Sequence, residues 1–117
     1  MATLTNIVIG IVALLHFGFL VLEMFLWTKP SGRKIFDMTK EVADASATLA
    51  ANQGLYNGFL GAGLVWGLWS DMLPVKVFFL ISMLIAGIFG GLTAKRSILY
   101  IQALPALLGL ILIVLFR

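Results

Sequence analysis

The sequence predicts an all-α integral membrane protein, a four-helix transmembrane bundle with both termini outside. Three observations predict it. The chain is 62% hydrophobic and 11% charged, with mean hydropathy +1.10. A water-soluble domain of this length needs much more polar surface, so lipid is the expected solvent. The apolar residues gather into four runs of about 20 residues each, the length that crosses a hydrocarbon core as helix. The basic residues between the runs are divided unevenly, which is the signature of a fixed orientation.

The elements follow in order within one domain, residues 1–117. The first helix covers about residues 4–27. Residues 1–6 have no basic segment, the run outlasts a signal-peptide core and no A-x-A site closes it, so it reads as a retained helix. Residues 28–39 form the main loop, where Pro30-Ser31-Gly32 signals a turn. Asp37-Met38-Thr39 caps a second helix, about residues 40–69, whose alanine-rich start favours helix before the apolar run begins. The third helix covers about residues 75–94 behind Pro74, a residue suited to a first turn. Lys95-Arg96-Ser97 turns the chain into the fourth, about residues 98–116. There Pro105 removes one backbone bond and frees the Ile101 carbonyl.

Lys29, Arg33, Lys34, Lys40, Lys95 and Arg96 fall on one side of this topology, and Lys76 and Arg117 on the other. The positive-inside rule puts the larger group in the cytoplasm and both termini outside, in the cell's inner (plasma) membrane. Trp27, Trp66 and Trp69 near helix ends suit interfacial anchors. The basic excess reads as topology, with no nucleic-acid partner. Without cysteine, disulfides, thiol catalysis and thiolate metal sites are excluded. No cofactor motif is present.

Glu23 is the residue that points to a site. A carboxylate within an apolar run costs roughly 2.5–3.5 kcal/mol on insertion scales, so it is expected to face protein or a wet cavity. His16, nearly two turns earlier, shares its face about 10 Å away. The two are too far apart in sequence to chelate a metal well, and no second histidine exists, so no metal site is expected. In the second helix Asn52 and Tyr56 are spaced i, i+4, and Gln53 and Asn57 form another such pair on the adjacent face. Gln102 enters the fourth helix from the cytoplasmic side. Glu23, Asn52, Gln53, Tyr56, Asn57 and Gln102 thus share a depth, with His16 reaching toward the midplane and an apolar floor expected beyond. Gly54-x-x-x-Gly58 and Gly63-x-x-x-Gly67, with Gly87, Gly90 and Gly91, suit close helix packing. Phe36-Asp37-Met38 reads either as a lid on the membrane surface or as a solvated loop.

The strings Glu23-Met24-Phe25-Leu26-Trp27 and Asn52-Gln53-Gly54-Leu55-Tyr56-Asn57-Gly58-Phe59-Leu60 resemble those of a family of small bacterial integral membrane proteins of about this length and unassigned function. That resemblance covers nearly the whole chain and implies four membrane helices. A looser one is to the membrane-associated eicosanoid and glutathione enzymes, which have four helices, outside termini and a cytoplasm-facing site. This chain lacks their arginine-rich start of helix two. Small multidrug transporters are similar in having four short helices and a glutamate in the first; here the glutamate lies near the cytoplasmic end.

The leading expectation is a cytoplasm-facing polar pocket around Glu23 that binds a small amphipathic or lipid-like ligand. Glu23 would be its anchor, oriented by Asn52, Gln53, Tyr56 and Asn57, with His16 and Gln102 completing the wall. The alternatives are a proton-coupled exporter using Glu23, a membrane enzyme with Glu23 or Tyr56 as acid–base group, and a structural or partner-binding role. A bundle this small has little room for a private cavity, so a homo-oligomer sharing the pocket fits.

Overall fold

A computed structural model describes residues 2–116, all helices and turns with no strand among them. Arg117, one of the two basic residues assigned to the outer side, lies outside the described residues. The helices are α1 (Ala2–Met24), α2 (Pro30–Ile35), α3 (Lys40–Trp69), α4 (Leu73–Thr93), a π-helical turn (Leu99–Ala103) and α5 (Leu104–Phe116). Three segments are long and apolar enough to cross a membrane: Ala2–Met24, Leu73–Thr93 and Leu99–Phe116. α3 is longer than any of them, but Lys40, Glu41 and Asp44 at its start and Asn52, Gln53 and Asn57 further on dilute its apolar character.

The segment expected to be loop, residues 28–39, contains α2. Pro30 opens this helix rather than a turn, because its fixed φ and missing N–H suit the first helical position. Gly32 is required there: a Cβ at this position would overlap the Leu26 carbonyl. The helix closes in a Schellman motif. Met38 N–H donates to the Arg33 carbonyl at 2.9 Å and Asp37 N–H to Lys34 at 3.3 Å. Asp37 sits between them at φ 53°, a left-handed position that aspartate tolerates better than most residues. The capping tripeptide therefore divides its work. Asp37 ends α2, while the Thr39 hydroxyl accepts the Val42 N–H at 3.2 Å and starts α3. The same device ends α3. Met72 N–H donates to Gly67, Asp71 N–H donates to Leu68, and Asp71 stands at φ 48°.

The chain divides into two compact units, Met1–Leu15 with Leu60–Arg117, and His16–Phe59. The first has an apolar core of Ile9, Val12, Ala13, Leu64, Leu80, Met83, Ala106 and Ile113. Small residues set how closely its helices approach. A Cβ on Gly87 would lie 2.6 Å from the Ala103 nitrogen and 2.9 Å from its Cα, and one on Gly63 would overlap the Phe79 ring. Ala103 belongs to the π-helical turn, where the Leu104 N–H reaches back to the Leu99 carbonyl. This wider turn is how the final helix accommodates Pro105, which has no N–H for the normal ladder. The outward residues of this unit are large and apolar: Leu92 and Val114 are each 76% exposed and Phe89 is 68% exposed. Such a surface suits lipid, not water.

The second unit holds the C-terminal part of α1, the α2 connection and the first two-thirds of α3. The Trp27 indole N–H donates to Ser46 Oγ at 3.0 Å, and its ring packs on Phe36 with centroids 4.8 Å apart. These contacts tie the connection between α1 and α3 to α3 itself.

Gly87→Ala forces a methyl against backbone, where overpacking costs about 1–3 kcal/mol. Thermal unfolding in mild detergent should show a clearly lower midpoint for Gly87→Ala. Gly10→Ala, whose Cβ meets nothing within 4 Å, should leave it unchanged or slightly raised.

Candidate functional site

The polar cluster lies in the second unit and begins with Glu23 near the end of α1, 5% exposed. The donors to its carboxylate come from α3. Asn57 Nδ2 donates to one carboxylate oxygen, and Gln53 Nε2 donates to the other at 2.7 Å. A carboxylate only accepts, which fixes both amides with their NH2 groups toward it.

Glycines set the reach. A Cβ on Gly54 would lie 2.8 Å from Met24 Cγ and 2.9 Å from Glu23 Cβ, and one on Gly58 would overlap the Leu20 side chain. With hydrogens there instead, the α3 backbone approaches the Leu20–Met24 stretch closely. That approach lets a side chain as short as Asn57 touch the carboxylate.

The two sides of the cluster differ in access. Asn57 is buried, 8% exposed, whereas Gln53 lies at the surface. One oxygen of Glu23 is therefore met by a buried donor, and the other by a donor at the surface.

Neither of these two hydrogen bonds involves the remaining candidates. Asn52 and Tyr56 are exposed on the neighbouring face of α3, and the Tyr56 ring meets Phe59 edge-on at 6.1 Å. Their i, i+4 pair faces outward, while the Gln53–Asn57 pair faces Glu23. His16 is fully buried and sits edge-on to Phe19 at 5.2 Å. Gln102 belongs to the first unit, half-buried on the π-helical turn.

Sequence reasoning passed over a second polar cluster, in the first unit. Lys76, 6% exposed near the start of α4, donates to Asn6 Oδ1 at 3.1 Å and to Asp71 Oδ1 at 3.0 Å. The count of basic residues treats Lys76 only as a topology marker and gives Asn6 no role. The available signal was the one used for Glu23: an ionisable side chain inside an apolar run.

Removing a donor from a buried carboxylate costs about 1–3 kcal/mol, more for charged groups. Asn57→Ala should therefore lower the detergent melting midpoint by several degrees. Gln53→Ala should lower it less, since water or headgroups can replace an exposed donor. An equal effect would mean that the two oxygens are equally sequestered.

Comparisons with known proteins bear on identity more than on chemistry. Residues 10–114 match a family model described as "Protein of unknown function (DUF1304)". The chain is 35% identical over 115 residues to the uncharacterized protein YpaA of Lactococcus lactis subsp. lactis (strain IL1403), an alignment covering 95% of this chain and 97% of that protein. No solved structure matches. With nearly its whole length aligned to the family model, the chain belongs to the DUF1304 family of proteins of unknown function.

Proposed function

We propose that this chain is a four-span protein of the cell's inner (plasma) membrane, with both termini outside, that binds a small amphipathic or lipid-like ligand at Glu23 from the cytoplasmic half of the bilayer. The fourth span is the apolar part of α3. At 1.5 Å per residue that helix is about 45 Å long, enough to cross hydrocarbon and still extend Lys40, Glu41 and Asp44 into water. Its polar residues obscure the span in sequence, yet Gln53 and Asn57 each direct an amide N–H to Glu23 within the chain.

One observation carries the ligand reading: the asymmetric cover of the Glu23 carboxylate. Asn57 holds one oxygen in a buried position, and exposed Gln53 covers the other. A ligand headgroup with an ammonium or hydroxyl donor can displace the Gln53 amide while Asn57 keeps the carboxylate in place. Asn52 and Tyr56 offer further hydrogen bonds on the adjoining surface, and exposed Leu55 and Phe59 offer an apolar track for a tail. That mixture of surfaces is why the ligand is amphipathic. His16, on the Glu23 face of α1, closes the inner end.

A second reading is favoured by the same hydrogen bonds. Both carboxylate oxygens are already satisfied within the chain, as in a clamp that only joins α1 to α3.

Native mass spectrometry from mild detergent separates the two. Ligand binding predicts a bound small species on the wild type that is lost in Glu23→Gln and weakened in Tyr56→Phe. The clamp predicts the same bare protein in all three, with only the melting midpoint changed by Glu23→Gln. That second pattern would overturn the ligand reading. The same spectra give the number of subunits.

A further inference from the structure

The connection between α1 and α3 carries a basic patch that the Glu23 cluster leaves unused. Lys29 precedes α2, and Arg33 and Lys34 lie within it. The bond from Arg33 N–H to the carbonyl of Lys29, the N-cap residue, 3.0 Å, keeps the two residues within one turn of each other. None of the three cations is in an ion pair among the described residues, whereas nearby Lys40 is paired with Asp44 at 2.7 Å. Arg33 adds a sharper observation: its Nε is buried and has no acceptor among the described residues. A buried guanidinium N–H without a partner is costly, and native structures rarely tolerate one.

The surroundings say what kind of acceptor fits. The patch follows immediately on α1, which is apolar and long enough to cross a membrane. Phe25 and Ile35, 63% and 54% exposed, flank it with apolar surface. Trp27, anchored to Ser46 and packed on Phe36, holds the segment in shape and suits the interface between hydrocarbon and headgroups. A planar guanidinium with two lysines in the same short segment matches the charge of a phosphate diester, and the guanidinium fork matches its geometry.

We infer that Lys29, Arg33 and Lys34 bind the phosphate of an anionic phospholipid headgroup at the cytoplasmic face of the bilayer. Arg33 is the directional contact, its guanidinium turning outward to the phosphate so that Nε gains an acceptor, and the two lysines add attraction without direction. The site rests on the reading that the chain crosses a membrane, but not on any ligand at Glu23.

The test uses the full-length protein reconstituted with equal amounts of phosphatidylglycerol and phosphatidylcholine, with native mass spectrometry counting the lipids retained. The wild type should retain phosphatidylglycerol preferentially. Removing one contacting charge should weaken that preference about fivefold, and the triple variant Lys29→Gln/Arg33→Gln/Lys34→Gln should lose at least about tenfold. Lys95→Gln/Arg96→Gln, which removes basic charge elsewhere on the cytoplasmic side, should stay within about twofold of wild type. Arg33→Lys keeps the charge and the fold but removes the planar fork, and should lose about as much as Arg33→Gln. Equal loss in the patch and Lys95/Arg96 variants would overturn the site in favour of net charge alone. An unchanged preference in the triple variant, or in Arg33→Lys, would overturn it directly. An alkaline carbonate wash separates this failure from that of the underlying reading. A chain stripped from membranes by the wash is not integral. A chain that resists the wash but shows no headgroup preference lacks only this site.

Discussion

A carboxylate placed within an apolar helix has to find its hydrogen-bond donors inside the protein, and much of the second unit is organised around that need. Glu23 finds its donors on another helix. It takes one from buried Asn57 and one from exposed Gln53, both on α3. Because the two donors are one turn apart, they grip opposite oxygens of the same group. That pairing sets the rotation of α3 about its own axis and turns Asn52 and Tyr56 outward. The glycines follow from the same requirement. Asn57 is too short to reach the carboxylate unless the backbones nearly touch, which a side chain on Gly54 or Gly58 would prevent.

The connection between these helices is built for position as well as length. It could have been a flexible linker, yet Pro30 starts a helix, Gly32 lets it fold beneath the end of α1, and Asp37 stops it. Thr39 then begins α3 with a side-chain cap. Each step is local chemistry of proline, glycine, aspartate or threonine. Together they carry Trp27 to Ser46 and leave a short basic helix where the apolar span ends.

The first unit meets the same constraint with the opposite charge. Lys76 sits inside an apolar helix and draws on Asn6, distant in sequence, and on Asp71, whose left-handed backbone is set by the Schellman close of α3. Elsewhere this unit needs little polar chemistry. Its contacts are glycine against backbone or ring, and its outward surface is aliphatic and aromatic.

Composition and run length were enough to read an all-helical chain with segments able to span a membrane, because those properties depend on how apolar each stretch is and not on what it touches. Glu23 was legible as the singular residue for a related reason: its cost in an apolar run is a property of the run. The partner choice was not legible. Asn52–Tyr56 and Gln53–Asn57 have identical spacing on adjacent faces, and periodicity cannot say which pair a second helix will meet. Only the packed structure decided that, through the close approach that Gly54 and Gly58 permit. It also decided that Pro30 begins a helix, that Pro105 is absorbed by a π-helical turn, and that Lys76 is buried. The choice of pair and the burial of Lys76 depend on residues far along the chain, while the two prolines turn on local backbone geometry that admits more than one outcome; a one-dimensional pattern contains neither.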